Sequence, residues 1–458
     1  MRFGAPGAIE EELASFAAGL RWDAVPDAIG SRVLLLLTDA LANGIAGRAA
    51  EGTARLEDAL LRIDGSGDTV VFGTDRRGAP LLAAAMNAYQ ITAFTMCDVY
   101  RPALCHVTPE VVPAVFAAAQ GSGADGRSVL AALTVGLELT ARLGRGLGYA
   151  SFRRRGFHAP GVIGAVGAAL AAARVLGLDA DGAGGALALG AAQAAGTFAA
   201  LGSEEVKLHQ VNGSRSGLMA ALLAAGGVRG AQAALTSADG GLLHAYSDGG
   251  MPDRIVSGLG HEWELERISL RPRPGSSSVQ SVGECASELA TALEGRALRG
   301  VRAVRVVVPE SAYVMCGATS WDEELSALQS ARYLVGALLY GWPWWVELFD
   351  VEHRSNEQVG VFAREQIDVV ADPGMPVGAA AVSAELDDGR RLEIERTCAL
   401  GDPDRPVGEA DVREKLERAT RSVRTVAGAD AVATAVKGLA DSPFDLPAML
   451  AAPAGCER

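Results

Sequence analysis

Aromatic side chains are scarce in this chain: Phe, Trp and Tyr make up 5% of its 458 residues. A core poor in large rings has to close through small side chains, and 56 glycines with abundant alanine point to helices in close backbone approach. Cysteine is sparse and scattered, at Cys97, Cys105, Cys285, Cys316, Cys398 and Cys456. No pair has C-x-x-C spacing, so neither a disulfide framework nor a zinc knuckle is suggested. Positive charge is in deficit, with 41 Lys and Arg against 55 Asp and Glu and a net charge of −14. Phosphate binding needs a concentrated positive field, and no basic stripe with interleaved aromatics supplies one, which excludes a nucleic-acid partner. The opening MRFGAPGAIEEELASF lacks the basic start and apolar run of a signal peptide, so a cytoplasmic location is expected. An unbroken apolar span is missing as well. The stretch from Val162 to Gly202 is interrupted by Arg174, Asp179 and Asp181 and rests on weakly hydrophobic alanine; it reads as a buried helix pair, not a membrane segment.

What is present is a globular composition, 49% apolar and 21% charged, on a chain longer than one core usually serves. Helical patterns cover residues 9–18, 28–47, 79–95, 111–120, 127–146, 161–176, 182–200 and 212–225, with polar loops at 97–106 and 202–209. No strand pattern stands out before residue 265. The expectation is a large all-α domain over residues 1–268, with 405–450 packing back onto it. From Arg271 the character changes. A Pro/Gly/Ser loop leads to a helix ending near Leu293, Val301, Val304, Val306 and Val308 alternate, and two further strands flank the Asp388-Gly389 turn. Residues 269–404 therefore read as a smaller α+β domain.

The stretch around which the chemistry is organised is Gly156-Phe157-His158-Ala159-Pro160-Gly161. A lone imidazole before a helix is ordinarily a cap or a satisfied core residue. It gains interest because other titratable groups can stand beside it: Asp98 and His106, eight residues apart on one loop, and Lys207 and His209 on another. Abstracting a proton next to a carboxylate requires a base near neutral pKa and cations for the growing enolate charge. The triplet Arg153-Arg154-Arg155 could draw an anion inward, although such a run is usually a solvated face. Asp98, His106 and His158 lack the short ligand spacings of a zinc site, and Cys97 and Cys105 read as small buried thiols, so no metal and no Cys nucleophile are expected.

At these segments the sequence resembles the MmgE/PrpD family. Trp22-Asp23-x-x-Pro26 and Ala46-Gly47 look like its opening. His106 with Val111, Pro113 and Ala114 fits HPxxxVxPA, with Val107 where proline is usual. Gly156-Phe157-His158 with Gly161, Gly164 and Gly167 fits GFHxTGxxGxxG, with Pro160 in place of threonine. Ser216-Gly217 ends a stretch similar to KxxHxGxAAxSG, with Lys207 two residues before His209 instead of three. Ser330, Tyr333 and Val335 to Leu338 look like SxxYxVAxAL. Where the family reads NGxxxHxxDFDD, this chain keeps Asn87 and Asp98 but has Thr92, Thr95 and Cys97. Where the family reads KxYPxxxxxH, it has Arg271, Arg273, Pro274 and Gln280, and Ser276 stands near a position that can carry another His.

The resemblance implies a homodimer needing no cofactor, with a polar cleft between a large helical and a small α+β domain. Its members remove or shift a proton beside a carboxylate, then lose water or carbon dioxide or return the proton on the other face. Carried over residue by residue, it makes His106 and His158 the base and acid. Asp98 would orient an imidazole, Lys207 and Arg271 would face substrate oxygens, and Ser276, Gln280, His209 and Tyr333 would be further substrate contacts. The expected function is that of a lyase or isomerase acting on a small organic acid. Two alternatives stand beside it: a repurposed member cyclising or isomerising a larger biosynthetic intermediate, and a dimer that only binds a ligand.

Overall fold

The computed structural model describes residues 7–62, 66–293, 298–317, 320–421, 423 and 426–450; Cys456 lies outside them. The chain divides into two compact units, one made of residues 1–93, 97–269 and 408–458, the other of 94–96 and 270–407. The first is helical. It runs through α1 (Ala8–Gly19), α2 (Asp27–Ala46), α3 (Glu51–Leu61), a two-stranded hairpin of β1 (Thr69–Val70) and β2 (Arg77–Gly78), α4 (Pro80–Thr92), α5 (Thr108–Ala119), α6 (Gly126–Gly146), α7 (Tyr149–Arg154), α8 (Ala159–Val175), α9 (Ala180–Ala191), α10 (Glu205–Ala225), α11 (Leu242–Tyr246) and α12 (Asp253–Val256). The large helical domain with a smaller α+β domain expected from the sequence is the architecture observed.

Helix α8 is the core element of this unit. Sixteen of its seventeen residues are buried, and it packs against α5, α6, α9 and α10. Its glycines set the spacing. A Cβ built on Gly164 would lie 2.6 Å from Glu110 Cγ, and one on Gly167 would lie 1.8 Å from Thr140 Oγ1, so these crossings admit no side chain. Helix α2 is apolar and long enough to cross a bilayer by length and composition, yet 67% of that stretch is buried within the protein. Its Asp39 pairs with Lys415 at 2.6 Å, both 1% exposed, which ties the returning C-terminal segment into the unit.

The second unit contains α13 (Gln280–Ala292), β3 (Val301–Pro309), α14 (Glu310–Cys316), α15 (Glu324–Gln329), α16 (Ala331–Tyr340), α17 (Val351–Arg354), α18 (Glu357–Glu365), β4 (Ile367–Asp372), β5 (Ala380–Leu386) and β6 (Arg391–Arg396). Its sheet has the order β4-β3-β5-β6, with β3 and β4 parallel and the other pairs antiparallel. The Asp388-Gly389 turn joins β5 to β6 with Gly389 at φ +82°, a left-handed conformation that glycine adopts without strain. Helices α19 (Glu409–Arg421), α20 (Ala429–Lys437) and α21 (Leu446–Leu450) complete the first unit.

Three expectations are corrected. The helical unit does contain a hairpin, β1–β2, but strands of two residues carry no readable alternation. The helix expected at 182–200 stops at Ala191, where the chain leaves to form the pairing described below. The polar segment 202–209 is not all loop, because α10 begins at Glu205 and carries both Lys207 and His209. The first turns of α10 are inverted relative to an ordinary surface helix: Leu208 is exposed, while Lys207, His209 and Gln210 are buried.

Candidate functional site

The imidazole of His158 is placed by a short antiparallel pairing that brings residues 156–158 alongside 196–198. Gly156 adopts φ +84° and turns the chain out of α7. Phe157 then bridges Thr197, His158 N–H donates to the Gly196 carbonyl at 3.1 Å, and Phe198 N–H donates to the Gly156 carbonyl at 2.7 Å. His158 caps α8 in extended conformation, and Pro160 occupies the first turn, where a missing N–H costs nothing. The His158 and Phe198 rings meet edge to face at 5.7 Å.

The nearest polar partner of His158 is another imidazole. His158 Nδ1 and His209 Nδ1 are 2.8 Å apart, so one ring donates and the other accepts. Burial, reinforced by His209, His106 and Arg153 nearby, holds His158 well below its ordinary value, and burial lowers His209 as well. Both rings are therefore neutral near pH 7. His209 was expected as a substrate contact; the structure makes it the direct partner of His158.

His106 sits on the loop before α5, which is fixed by two mutual backbone hydrogen bonds between Tyr100 and Cys105 and by the pairing of Val99 with Ser269. Its Nδ1–H donates to the Asp98 carbonyl at 2.6 Å. A carbonyl only accepts, so the neutral ring carries its lone pair on Nε2. The Asp98 carboxylate has a different task from the one expected. It caps α5, accepting from Val107 N–H at 2.9 Å, from Thr108 N–H at 3.0 Å and from the Thr108 hydroxyl. Asp98 thus orients His106 through its backbone carbonyl, while its side chain holds the helix.

Lys207 is 2% exposed, and its ammonium donates to the Ala93 carbonyl at the C-terminus of α4. Two residues from His209 on α10, it points to a different side of the helix. At the C-terminus of α4 the ammonium meets the negative end of the helix dipole, which favours its charge. The thiol of Cys105 donates to the His106 carbonyl at 2.8 Å, and burial pushes it well above its ordinary value, which disfavours the thiolate. Among the described residues, no group of three or more His, Cys, Asp and Glu is arranged to hold a metal ion.

Two residues passed over in the sequence stand out. Glu110, in the first turn of α5, is fully buried, and neither carboxyl oxygen has a hydrogen-bond partner among the described residues. Burial, with Asp98 nearby, raises it well above its ordinary value, so it is a neutral acid. An acidic residue in a first helical turn looks like routine dipole compensation, so only its flanking Pro109, Val111 and Val112 signalled burial. Phe198, the second, bears the Arg153 guanidinium over its ring at 3.3 Å from the centroid. No motif marks it.

The remaining predicted contacts belong to the second unit. Arg271 is buried. The Ser276 hydroxyl is buried without a hydrogen-bond partner among the described residues, and Gln280, at the start of α13, donates its amide to the Arg273 and Gly275 carbonyls at 3.2 and 3.0 Å. Gln280 therefore braces its own loop. Tyr333, also expected as a substrate contact, is fully buried, stacks on Trp321 and donates to the Leu348 carbonyl at 2.5 Å.

Residues 11–254 match the MmgE/PrpD N-terminal domain and residues 274–440 the MmgE/PrpD C-terminal domain. The chain belongs to the MmgE/PrpD family and is an enzyme of the lyase type, of the dehydratase and decarboxylase kind. Among individual proteins it is similar to the cis-aconitate decarboxylase-like protein oryM of Aspergillus oryzae, at 27% identity over 443 residues and 91% of each chain. It is also similar to the cis-aconitate decarboxylases of Aspergillus terreus, at 26% over 464 residues covering 95% of this chain and 93% of that one, and of Homo sapiens, at 26% over 453 residues covering 94% and 92%.

Proposed function

We propose that this protein decarboxylates a small unsaturated polycarboxylate of the cis-aconitate type, and that its imidazoles deliver the proton the reaction consumes. The observation that carries this reading is the buried His158–His209 contact, in a chain similar over nine-tenths of its length to a cis-aconitate decarboxylase and a cis-aconitate decarboxylase-like protein. Loss of carbon dioxide from the saturated carbon of such a substrate leaves an electron pair that forms a new double bond to the central carbon. The pair of the old double bond then takes one proton at its far carbon. The balance requires a proton donor and no electron acceptor.

A neutral imidazole serves as that donor when its other nitrogen accepts a hydrogen bond. With the shared proton on His209 Nδ1, His158 carries its own proton on Nε2 and is an acid. With it on His158 Nδ1, His158 Nε2 is a base. His209 thus lets one ring give a proton and be recharged, and the pair stays neutral because His209 Nε2 takes up a solvent proton as its Nδ1 proton passes to His158. His106, its lone pair placed on Nε2 by the Asp98 carbonyl, is the second imidazole, one that accepts a solvent proton and passes it on to the site after each turnover.

The test is proton NMR of purified protein with cis-aconitate, 2-methylcitrate, citrate and iminodisuccinate, beside His158→Ala and His106→Ala. Consumption of cis-aconitate with release of carbon dioxide and appearance of terminal methylene signals is expected. Each variant should be slower by about 10²–10⁴-fold. Turnover of none of the four acids would overturn the proposal.

A further inference from the structure

We infer that Arg153 is the carboxylate-recognising residue of the helical unit, holding one carboxylate of an anionic substrate beside His158. The inference rests on the substrate class proposed above and goes beyond it by assigning the cation that recognises that class.

Arg153, Arg154 and Arg155 are consecutive, and a run of this kind is normally a solvated face. The three side chains nevertheless have different fates. Arg155 pairs with Asp248 at 2.9 Å and donates to the Ala245 carbonyl, and Arg154 reaches the same carboxylate at 3.6 Å. Arg153 turns away from them and lies half-buried over Phe198. Among the described residues its guanidinium has neither an ion pair nor a hydrogen bond.

The position of that cation is informative because Phe198 is also the ring that packs edge-on against His158. One aromatic ring therefore carries the guanidinium and touches the imidazole, and both are fixed by the pairing of residues 156–158 with 196–198. Stacking covers the face of the guanidinium and leaves its edge N–H donors available, the geometry that grips a carboxylate with two parallel hydrogen bonds. A half-buried cation with unused donors, in a chain of net charge −14, is a specific local exception to the surrounding field. Lys207, two residues from His209 on α10, donates to the Ala93 carbonyl.

The test compares wild type, Arg153→Gln, Arg153→Lys and Arg154→Gln, each first shown to melt cooperatively. Two readouts are taken: steady-state cis-aconitate turnover, and calorimetric binding of propane-1,2,3-tricarboxylate, a saturated tricarboxylate without the reactive double bond. For Arg153→Gln we expect KM and the Kd of the saturated acid to rise at least tenfold while kcat changes much less. Arg153→Lys, which keeps the charge but not the fork, should show an intermediate rise, and Arg154→Gln should behave as wild type. A KM and Kd within twofold of wild type in both Arg153 variants would overturn the assignment while leaving the decarboxylase reading intact. If Arg153→Gln fails to fold, the lysine variant decides alone by the same criterion. Wild-type protein that neither converts cis-aconitate nor binds the saturated acid would overturn both.

Discussion

Glu110 presents the sharpest conflict at the scale of single residues, because a carboxyl group is sealed among helices with neither oxygen hydrogen-bonded among the described residues. Its folded pKa is raised, so the folded state keeps a proton that the unfolded chain releases near 4.5. Stability from this group is full below that value and falls as pH rises toward the folded pKa. Glu110→Gln removes the titration, and denaturant melts at pH 5 and pH 8 should show the variant gaining roughly 1–3 kcal/mol relative to wild type on going to the higher pH. An identical pH dependence in the two proteins would contradict the buried-acid reading. His158 has the opposite sign. Its pKa is depressed by burial and by His209, His106 and Arg153, so a reaction needing the neutral ring persists below pH 6.5 and fails only at distinctly lower pH. His209→Ala removes a neighbouring ring and admits water, so the acid limb of the kcat/KM profile should move upward toward 6.5. The histidines were legible as residues because loop imidazoles near a helix start are conspicuous. Their pairing was not, since His158 and His209 are fifty-one positions apart, and sequence spacing carries no distance across a helix crossing.

Helix α8 shows how far an element can be read. Its extent and burial follow from an unbroken run of small residues, and the structure starts it at Ala159, close to the expected position. What pattern reading could not supply is the partner on each face: Glu110 of α5 at Gly164 and Thr140 of α6 at Gly167. Gly164→Ala should cost about 1–3 kcal/mol in urea denaturation by overpacking against Glu110 Cγ. Combined with Glu110→Ala, which removes that atom, the loss should be smaller than the sum of the single losses by more than about 0.5 kcal/mol. Strict additivity would show that the two positions do not share the crossing. Helix α10 was misread for a related reason. A polar segment suggests a loop, but its Lys207, His209 and Gln210 are buried, and an inward-facing polar turn followed by an ordinary apolar one is itself the mark of a functional element.

For the whole molecule, composition and motif order sufficed to anticipate a helical unit and an α+β unit, and the order of dispersed motifs identified the family. The β-hairpin of the small domain was readable from its Asp388-Gly389 turn; β4, which joins β3 in parallel, was not, because parallel pairing leaves no local turn signal. The central claim is that imidazoles of the helical unit deliver the proton that completes decarboxylation, and it is tested most directly in deuterated water. Metal-stripped wild-type protein, His158→Ala and His106→Ala are incubated with cis-aconitate and followed by NMR and mass spectrometry. The account predicts that wild type converts the acid with one solvent deuteron placed on the carbon of the former double bond, and that the rate falls by about 10²–10⁴-fold in His158→Ala. Conversion at the wild-type rate in both histidine variants, or product lacking the deuteron, would contradict it.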